Sequence, residues 1–304
     1  MSGMTGSRPT ADAPWTTRRL QQWMAGYFEQ RGIESPHLVA DMLLAHVLDC
    51  ERMRLYMEVD RPTDKSELAR LRDLVRRASG HEPAQYLVGE AWFFSRPFHV
   101  DRSTMIPRPS TETLVEYVIQ WLRNEPGHDA PLFADVGTGT GCIAISLLAQ
   151  FDAARAVATD VSGDALDLAA RNAERHGVAD RIEFRAGDLL DPLRDHPLWG
   201  TFDVICSNPP YIPDHEWAGV APNVRDYEPH TALRGGVDGL DFIRPLLAGA
   251  GAGLRTGGRL VVELADSHHE QAADLVRHAA DLKLIDVLKD HEGLHRVVVA
   301  EAAR

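Results

Sequence analysis

The stretch from Leu132 to Gln150 places the tightest limit on what this chain folds into. Leu132-Phe-Ala-Asp-Val136 has the length and apolar content of a buried strand. It runs into Gly137-Thr138-Gly139-Thr140-Gly141, and an apolar segment of helical length, Cys142 to Gln150, follows at once. A strand that turns through glycines straight into a helix begins a crossover unit of a parallel sheet. Glycine allows the tight turn and lets a ligand approach the backbone closely. A dinucleotide fingerprint needs its third glycine at position 142, where this chain has cysteine.

The alternation continues downstream. Arg155 to Thr159 reads as a strand ending at Asp160, and Arg181 to Arg185 as a third strand leading to Ala186-Gly187-Asp188. Asp203 to Ser207, with β-branched Val204 and Ile205, is a fourth. After it come a helix over Phe242 to Leu254, a strand over Arg259 to Leu264 and a helix over Gln271 to Ala280. Lys283 to Leu288 and His295 to Ala300 form a closing pair of strands. The fold class expected is α/β, with a mostly parallel seven-stranded sheet. Asp160 reads either as an acceptor for two ribose hydroxyls or as a cap of the helix containing Leu166 and Ala169. The glycine loop, Asp160, Asp188 and the loop after Ser207 all fall at carboxyl ends of strands, where open α/β sheets bind ligands.

The fourth strand is followed by Asn208-Pro209-Pro210-Tyr211. Each proline fixes its own φ and pushes the residue before it out of the α region. The Asn208 side chain and the Pro209 carbonyl are therefore expected to point into one small space. Two fixed acceptors beside the aromatic wall of Tyr211 suit a planar NH2 group with two donors. By itself the motif is also a plain rigid turn; its place after a glycine-loop sheet favours chemistry.

Composition sets the outer bounds. A chain of 304 residues, 44% apolar and 25% charged, can bury one large or two modest cores. A net charge of −13 argues against a general nucleic-acid binder. Cys50, Cys142 and Cys206 are far apart and odd in number, which suggests neither a disulfide framework nor a zinc site, and the cytoplasm is the expected compartment. No segment approaches the ~18 apolar residues of a membrane span.

Residues 1–14 read as a disordered tail and not a signal peptide, 15–81 as a helical domain, 82–108 as a linker with a β-hairpin, and 109–304 as the α/β domain. In the helical domain Ser35-Pro36 marks a helix start, with Leu38, Met42, Ala45 and Leu48 as its buried stripe. Asp64 and Glu67 form a capping box for a second helix. That helix buries Leu68, Leu71, Val75 and Ala78 and turns Arg70, Arg72, Arg76 and Arg77 the other way. Such a basic face is either solvated surface or a docking site. Tyr86-Leu-Val-Gly89, Ala91-Trp-Phe-Phe94 and Phe98-His-Val100 suggest the hairpin. In Met105-Ile-Pro-Arg-Pro-Ser-Thr-Glu112, Ser110 or Thr111 is a candidate cap for the next helix, and Arg108 is either a loop ion pair or a substrate contact.

With these motifs in place the chain resembles the HemK or PrmC family of peptide chain release factor glutamine methyltransferases. The resemblance runs from about residue 17 onward. It includes Gly32-Ile-Glu-Ser-Pro-His, Glu82-Pro-Ala-Gln-Tyr-Leu-Val-Gly89, Ile106-Pro-Arg-Pro-Ser-Thr-Glu112, Val224-Arg-Asp-Tyr-Glu-Pro229 and Asp238-Gly-Leu-Asp241. Ser110 departs from it, since the family more often has aspartate there. The resemblance implies a class I methyltransferase fold and S-adenosylmethionine as cofactor, leaving as S-adenosylhomocysteine. It implies that Asp135, Gly137, Thr138, Gly139, Thr140, Gly141, Asp160, Asp188, Leu189 and Asn208 bind that cofactor. It further implies that Asn208, Pro209 and Tyr211 serve catalysis and that, with Pro210 and Arg108, they meet the substrate. The implied target is the glutamine amide of the Gly-Gly-Gln motif of release factors, with no metal, no direct DNA binding and a monomeric enzyme. A ribosomal-protein glutamine methyltransferase, an adenine-amino methyltransferase of nucleic acid and a non-catalytic scaffold are the alternatives.

Overall fold

The computed structural model describes residues 14–125 and 127–303, and the expected tail over 1–14 lies outside them except for Pro14. The chain divides into two compact units between Val88 and Gly89.

The first unit is helical: α1 (Thr17–Glu29), α2 (Pro36–Leu48), α3 (Arg52–Met57), α4 (Lys65–Ala78) and α5 (Ala84–Val88). Its core gathers Met24, Phe28, Leu43, Leu44, Leu55, Leu71 and Val75. The capping box forms as expected, with the Asp64 carboxylate accepting from the Ser66 and Glu67 amides and Glu67 accepting from the Asp64 amide. Ser35 does start α2, but its side chain makes no capping bond and its φ is +48°. The buried side of α2 is Ala40, Leu43, Leu44, Ala45 and Val47; of the expected stripe Ala45 is in the core, Met42 and Leu48 pack against it half-buried, and Leu38 is exposed. This helix is apolar nearly all round, so sequence spacing alone does not choose its inner face. The arginines of α4 are largely committed locally: Arg77 to Glu82, Arg76 to Asp73, and Arg70 to the Val47 carbonyl. Tyr86 to Val88, expected in a strand, is helical. The Leu87 amide closes a turn on the Pro83 carbonyl, and Ala84 and Leu87, three apart, both enter the helical core. Gly89, at φ +75°, ends that turn.

The second unit opens with a hairpin, β1 (Glu90–Phe93) and β2 (Arg96–His99). Its two turn residues, Phe94 and Ser95, both have positive φ, as a type I′ turn requires. Neither is glycine or asparagine, and the Glu112 carboxylate, accepting from the Phe94 amide at 2.7 Å, holds the turn. Then follow α6 (Pro109–Asn124), β3 (Leu132–Val136), α7 (Cys142–Leu148), β4 (Arg155–Asp160), α8 (Gly163–Arg175), β5 (Ile182–Ala186) and α9 (Asp191–Arg194). The chain ends with β6 (Phe202–Ser207), α10 (Pro222–Arg225), α11 (Ile243–Gly249), β7 (Leu254–Glu263), α12 (His269–His278), β8 (Leu282–Lys289) and β9 (His295–Ala302).

The seven strands lie in the order β5-β4-β3-β6-β7-β9-β8. Neighbours from β5 to β7 are parallel, and β9 runs antiparallel to both β7 and β8. The expected α/β class is the one observed. β6 is buried over its whole length because side chains leave it toward two cores. Val204 and Cys206 join Leu114, Ile143 and Val261, whereas Phe202 and Ile205 join Leu246, Leu260 and Val276. Two boundaries differ from expectation. β7 begins at Leu254, passing through Gly257 at φ +74° before its register resumes at Arg259. α11 gives way to a 3-10 turn over Ala250–Ala252, where close contacts demand glycine: a Cβ on Gly253 would lie 2.5 Å from the Trp199 ring.

One buried side chain joins the hairpin to the α/β sandwich. Asn172 of α8, fully buried, donates to the carbonyls of His99 and Thr140 and accepts from the His99 amide, with all three contacts at 3.0 Å or less. Asn172→Ala orphans those groups and is expected to lower unfolding free energy by roughly 2–4 kcal/mol. Urea denaturation followed by circular dichroism checks this, and an unchanged midpoint would contradict it.

Candidate active site

The cleft lies at the carboxyl ends of β3, β4, β5 and β6, where the chain order of the parallel strands reverses between β3 and β6. The glycine loop forms its floor. The Gly137 and Thr138 amides both donate to the Thr159 carbonyl at 2.9 Å, and the Gly141 amide to the Thr138 carbonyl at 2.8 Å. Gly137, Gly139 and Gly141 all have positive φ. A Cβ built on Gly137 or Gly139 meets nothing within 4 Å, so the loop turns bare backbone to open space. At Gly141 a Cβ would meet Ile145 Cδ1 at 2.8 Å, so this glycine serves packing of the turn onto α7.

Two carboxylates brace that loop. Asp135 is fully buried on β3, and burial pushes its pKa up to about 6 against hydrogen bonds from Thr138 Oγ1 and the Ala144 amide. It therefore acts from beneath the loop; Thr138 and Thr140 are nearly buried too, though both reach the cleft lining. Asp160 accepts from the Gly139 amide through Oδ2 and from the Ser162 amide through Oδ1, each at 2.9 Å. Its helix is capped by Ser162, whose Oγ accepts from the Ala165 amide. Asp160 thus ties the loop after β3 to the loop after β4, with lone pairs left over for a ligand. Asp188 is exposed in the cleft and its carboxylate makes no hydrogen bond among the described residues. Leu189, beside it, is held at φ +44°, and its carbonyl accepts from Thr159 Oγ1.

Asn208 and Pro210 line the other side of the cleft. The Asn208 Nδ2 donates to Thr111 Oγ1 at 3.0 Å, and its Oδ1 accepts nothing among the described residues. Pro209 is buried, and Tyr211 turns its hydroxyl inward to Glu263 Oε1 at 3.4 Å. Burial raises the Tyr211 pKa, with Glu263 adding to the shift. Gly239 sits so close behind Tyr211 that a Cβ would lie 2.6 Å from the Tyr211 carbonyl, which accounts for the glycine of the Asp238-Gly-Leu-Asp241 motif.

Ser110 and Thr111 do not cap α6. Arg108 holds the cap position without a side-chain bond; Ser110 and Thr111 both lie in the first turn, and Thr111 lines the cleft. Ser110 Oγ donates to Glu263 Oε1 at 3.1 Å. Arg108 is not part of the cleft lining. It donates to Glu228 Oε1 at 2.7 Å, while Glu228 Oε2 accepts from the Ile106 amide. Burial raises the Glu228 pKa and Arg108 opposes that. Of the two readings of Arg108, the structure carries the ion pair, which fixes the Met105–Pro107 wall of the cleft. The sequence reading gave no site role to Thr111, Glu228 or Glu263, nor to cleft residues such as Met105, Val161 and Phe242. The Glu-Pro pair at 228–229 and the lone Glu263 ending an apolar strand were the available signals.

The open glycine cradle, an acidic side chain after β4 and an uncommitted one after β5 fit an adenosyl ligand carrying hydroxyl and amino donors. Fold and site together define a class I, S-adenosylmethionine-dependent methyltransferase. Two family models match: a PrmC N-terminal domain over residues 19–89 and a methyltransferase small domain over 116–222. A release factor glutamine methyltransferase of Chlorobaculum tepidum is 39% identical over 93% of this chain and 96% of its own. Those of Geobacter sulfurreducens and Cereibacter sphaeroides are 40% and 41% identical, over 93% and 88% of this chain and 96% and 92% of theirs. The chain belongs to the release factor glutamine methyltransferase family.

Asp160→Ala removes the acceptor that holds Gly139 and Ser162. It is expected to weaken S-adenosylmethionine binding by about 1–3 kcal/mol. Calorimetric titration of the folded variant decides: unchanged affinity removes Asp160 from the site.

Proposed function

We propose that this protein transfers a methyl group from S-adenosylmethionine to the side-chain amide nitrogen of a glutamine in peptide chain release factors, the glutamine of their Gly-Gly-Gln motif. The observation that carries this reading is the polarity of Asn208. Its NH2 end is committed to Thr111, so the end left for a ligand is the acceptor Oδ1. The Pro209 carbonyl next along the chain accepts no hydrogen bond from the described residues either. Two uncommitted acceptors on a proline-stiffened loop match the two donors of a planar amide NH2.

When bound, S-adenosylmethionine supplies a methyl group made electrophilic by its sulfonium. In this reading Gly137 to Gly141, Asp160, Asp188 and Leu189 hold it, with Asp135 supporting the loop from below. Asn208 and Pro209 take hold of the target nitrogen through its two N–H groups and aim it, which matters because an amide lone pair is delocalised and weakly nucleophilic. As positive charge develops on that nitrogen its hydrogens become more acidic. The same two hydrogen bonds then strengthen, favouring the transition state over the ground state. The Tyr211 ring backs the loop, its hydroxyl anchored on Glu263. The free thiols of Cys50, Cys142 and Cys206 suit a reducing compartment, and we place the enzyme in the cytoplasm.

A loop that reads only a side-chain amide gives little affinity for a whole protein. We assign that task in part to the helical unit, which exposes Trp23, Met53, Tyr56 and Met57. Deleting residues 1–88 is expected to leave S-adenosylmethionine affinity nearly unchanged and to raise KM for a release factor strongly. Equal KM in the two proteins would defeat the assignment.

The substrate is tested with tritiated S-adenosylmethionine and purified release factors, ribosomal proteins and DNA side by side. Label is expected in release factor, and label in DNA or ribosomal protein alone would overturn the reading. Asn208→Ala should cost roughly 2–4 kcal/mol in kcat, as for loss of one oxyanion-hole contact. Asn208→Asp keeps an acceptor of the same shape and should retain measurably more activity than the alanine variant. Equal losses in single-turnover assays would mean that acceptor capacity at position 208 is not what the reaction uses.

A further inference from the structure

We infer that Glu263 is a positioning residue that, through the Thr111 hydroxyl, fixes the Asn208 amide with Oδ1 and not Nδ2 facing the acceptor glutamine. The inference rests on the role given to Asn208 above and extends it to a side chain that lies outside the cleft lining.

Glu263 ends β7 and is fully buried. Three hydroxyls from two other elements converge on it. Ser110 Oγ and Tyr211 OH donate to Oε1 at 3.1 and 3.4 Å, and Oε2 is buried with no hydrogen-bond partner among the described residues, although Thr111, the neighbour of Ser110 in the first turn of α6, acts on the same carboxyl and favours its charged form. Burial raises the pKa of Glu263, while the three hydroxyls and Arg296 of β9 favour its charged form.

A hydroxyl has one hydrogen to give, and an ionised carboxylate can only accept. With a carboxylate at 263, Thr111 turns its hydrogen toward Glu263 and offers a lone pair to its other neighbour. That neighbour is Asn208 Nδ2, at 3.0 Å. The two ends of an asparagine amide are almost the same in shape and opposite in polarity, so packing does not tell them apart and only the partner does. The flipped amide would face the N–H groups of a glutamine with N–H groups of its own, donor against donor. The buried carboxylate of Glu263, an acceptor toward Ser110 and Tyr211, therefore decides through Thr111 whether the cleft presents an acceptor. Glu263→Gln has the same shape and inverts this: its NH2 can donate to Thr111, whose hydrogen then turns toward Asn208 and draws Oδ1 away from the cleft.

The test uses the full chain. Side-chain amide NMR reads orientation without any substrate: the Asn208 NH2 protons should show cross-peaks to Thr111 in the wild type and lose them in Glu263→Gln. Single-turnover methylation of release factor at saturating cofactor should slow by about 10–100-fold in Glu263→Gln, the loss of one or two hydrogen bonds, with cofactor Kd changed by less than about threefold. Thr111→Val should slow the reaction comparably, and Thr111→Ser should recover most of that loss. In an Asn208→Ala background Glu263→Gln should cost less than about twofold more, because its effect runs through Asn208. Cross-peaks that persist in Glu263→Gln, a wild-type rate in that variant, a full additional loss in the Asn208→Ala background, or a parallel fall in cofactor affinity would each overturn the inference. A wild-type chain that leaves release factor unlabelled overturns the substrate reading, and the NMR result still decides the role of Glu263.

Discussion

The site depends on β3 and β6 lying side by side in parallel. Their register pairs Val136 with Ser207 at the end of each strand, and Ser207 Oγ donates to the Val136 carbonyl at 2.7 Å. The chain then leaves both strands at the same level, one into the glycine loop and the other into Asn208. A cofactor loop and an acceptor loop some seventy residues apart in sequence thus open onto one cleft. This is the place in a doubly wound sheet where neighbouring crossovers run to opposite sides and leave a crevice. Burial of β6 on both faces keeps the register from slipping, since a shift by one residue would exchange the side chains of the two cores.

Around that crevice buried carboxylates hold the ligand-facing loops. Asp135 anchors Thr138 and the start of α7, Glu228 anchors Ile106 and Arg108, and Glu263 gathers Ser110 and Tyr211. In a low-dielectric interior such contacts are strong when satisfied and costly when broken, so they define loop geometry more sharply than apolar packing would. Each carboxylate is an acceptor only, so it also dictates which way the hydroxyls around it point. Ser110 belongs to this set: it is a donor beside a buried carboxylate, where an ionised aspartate would add a second negative charge.

The α/β class, the strand order of motifs and the residues after each strand were legible in the amino-acid sequence. Glycines at 137, 139 and 141, the double proline at 209–210 and β-branched runs such as Val204-Ile205 act through local backbone sterics, which need no partner to be read. The capping box at Asp64 and Glu67 is local in the same sense. Tertiary packing decided what spacing leaves open. It chose the inner face of α2, an apolar helix on nearly every side, and made a helix of Ala84–Val88 where a strand was expected over Tyr86–Val88. Above all it gave Arg108 and Ser110 their roles, because each answers to a carboxylate about 120 to 150 residues away in sequence, and it set Thr111 against the distant Asn208. Hydrogen-bond polarity at Asn208 is set in the same way. An amide's orientation is a property of its neighbours, and those neighbours meet only when the sheet has closed.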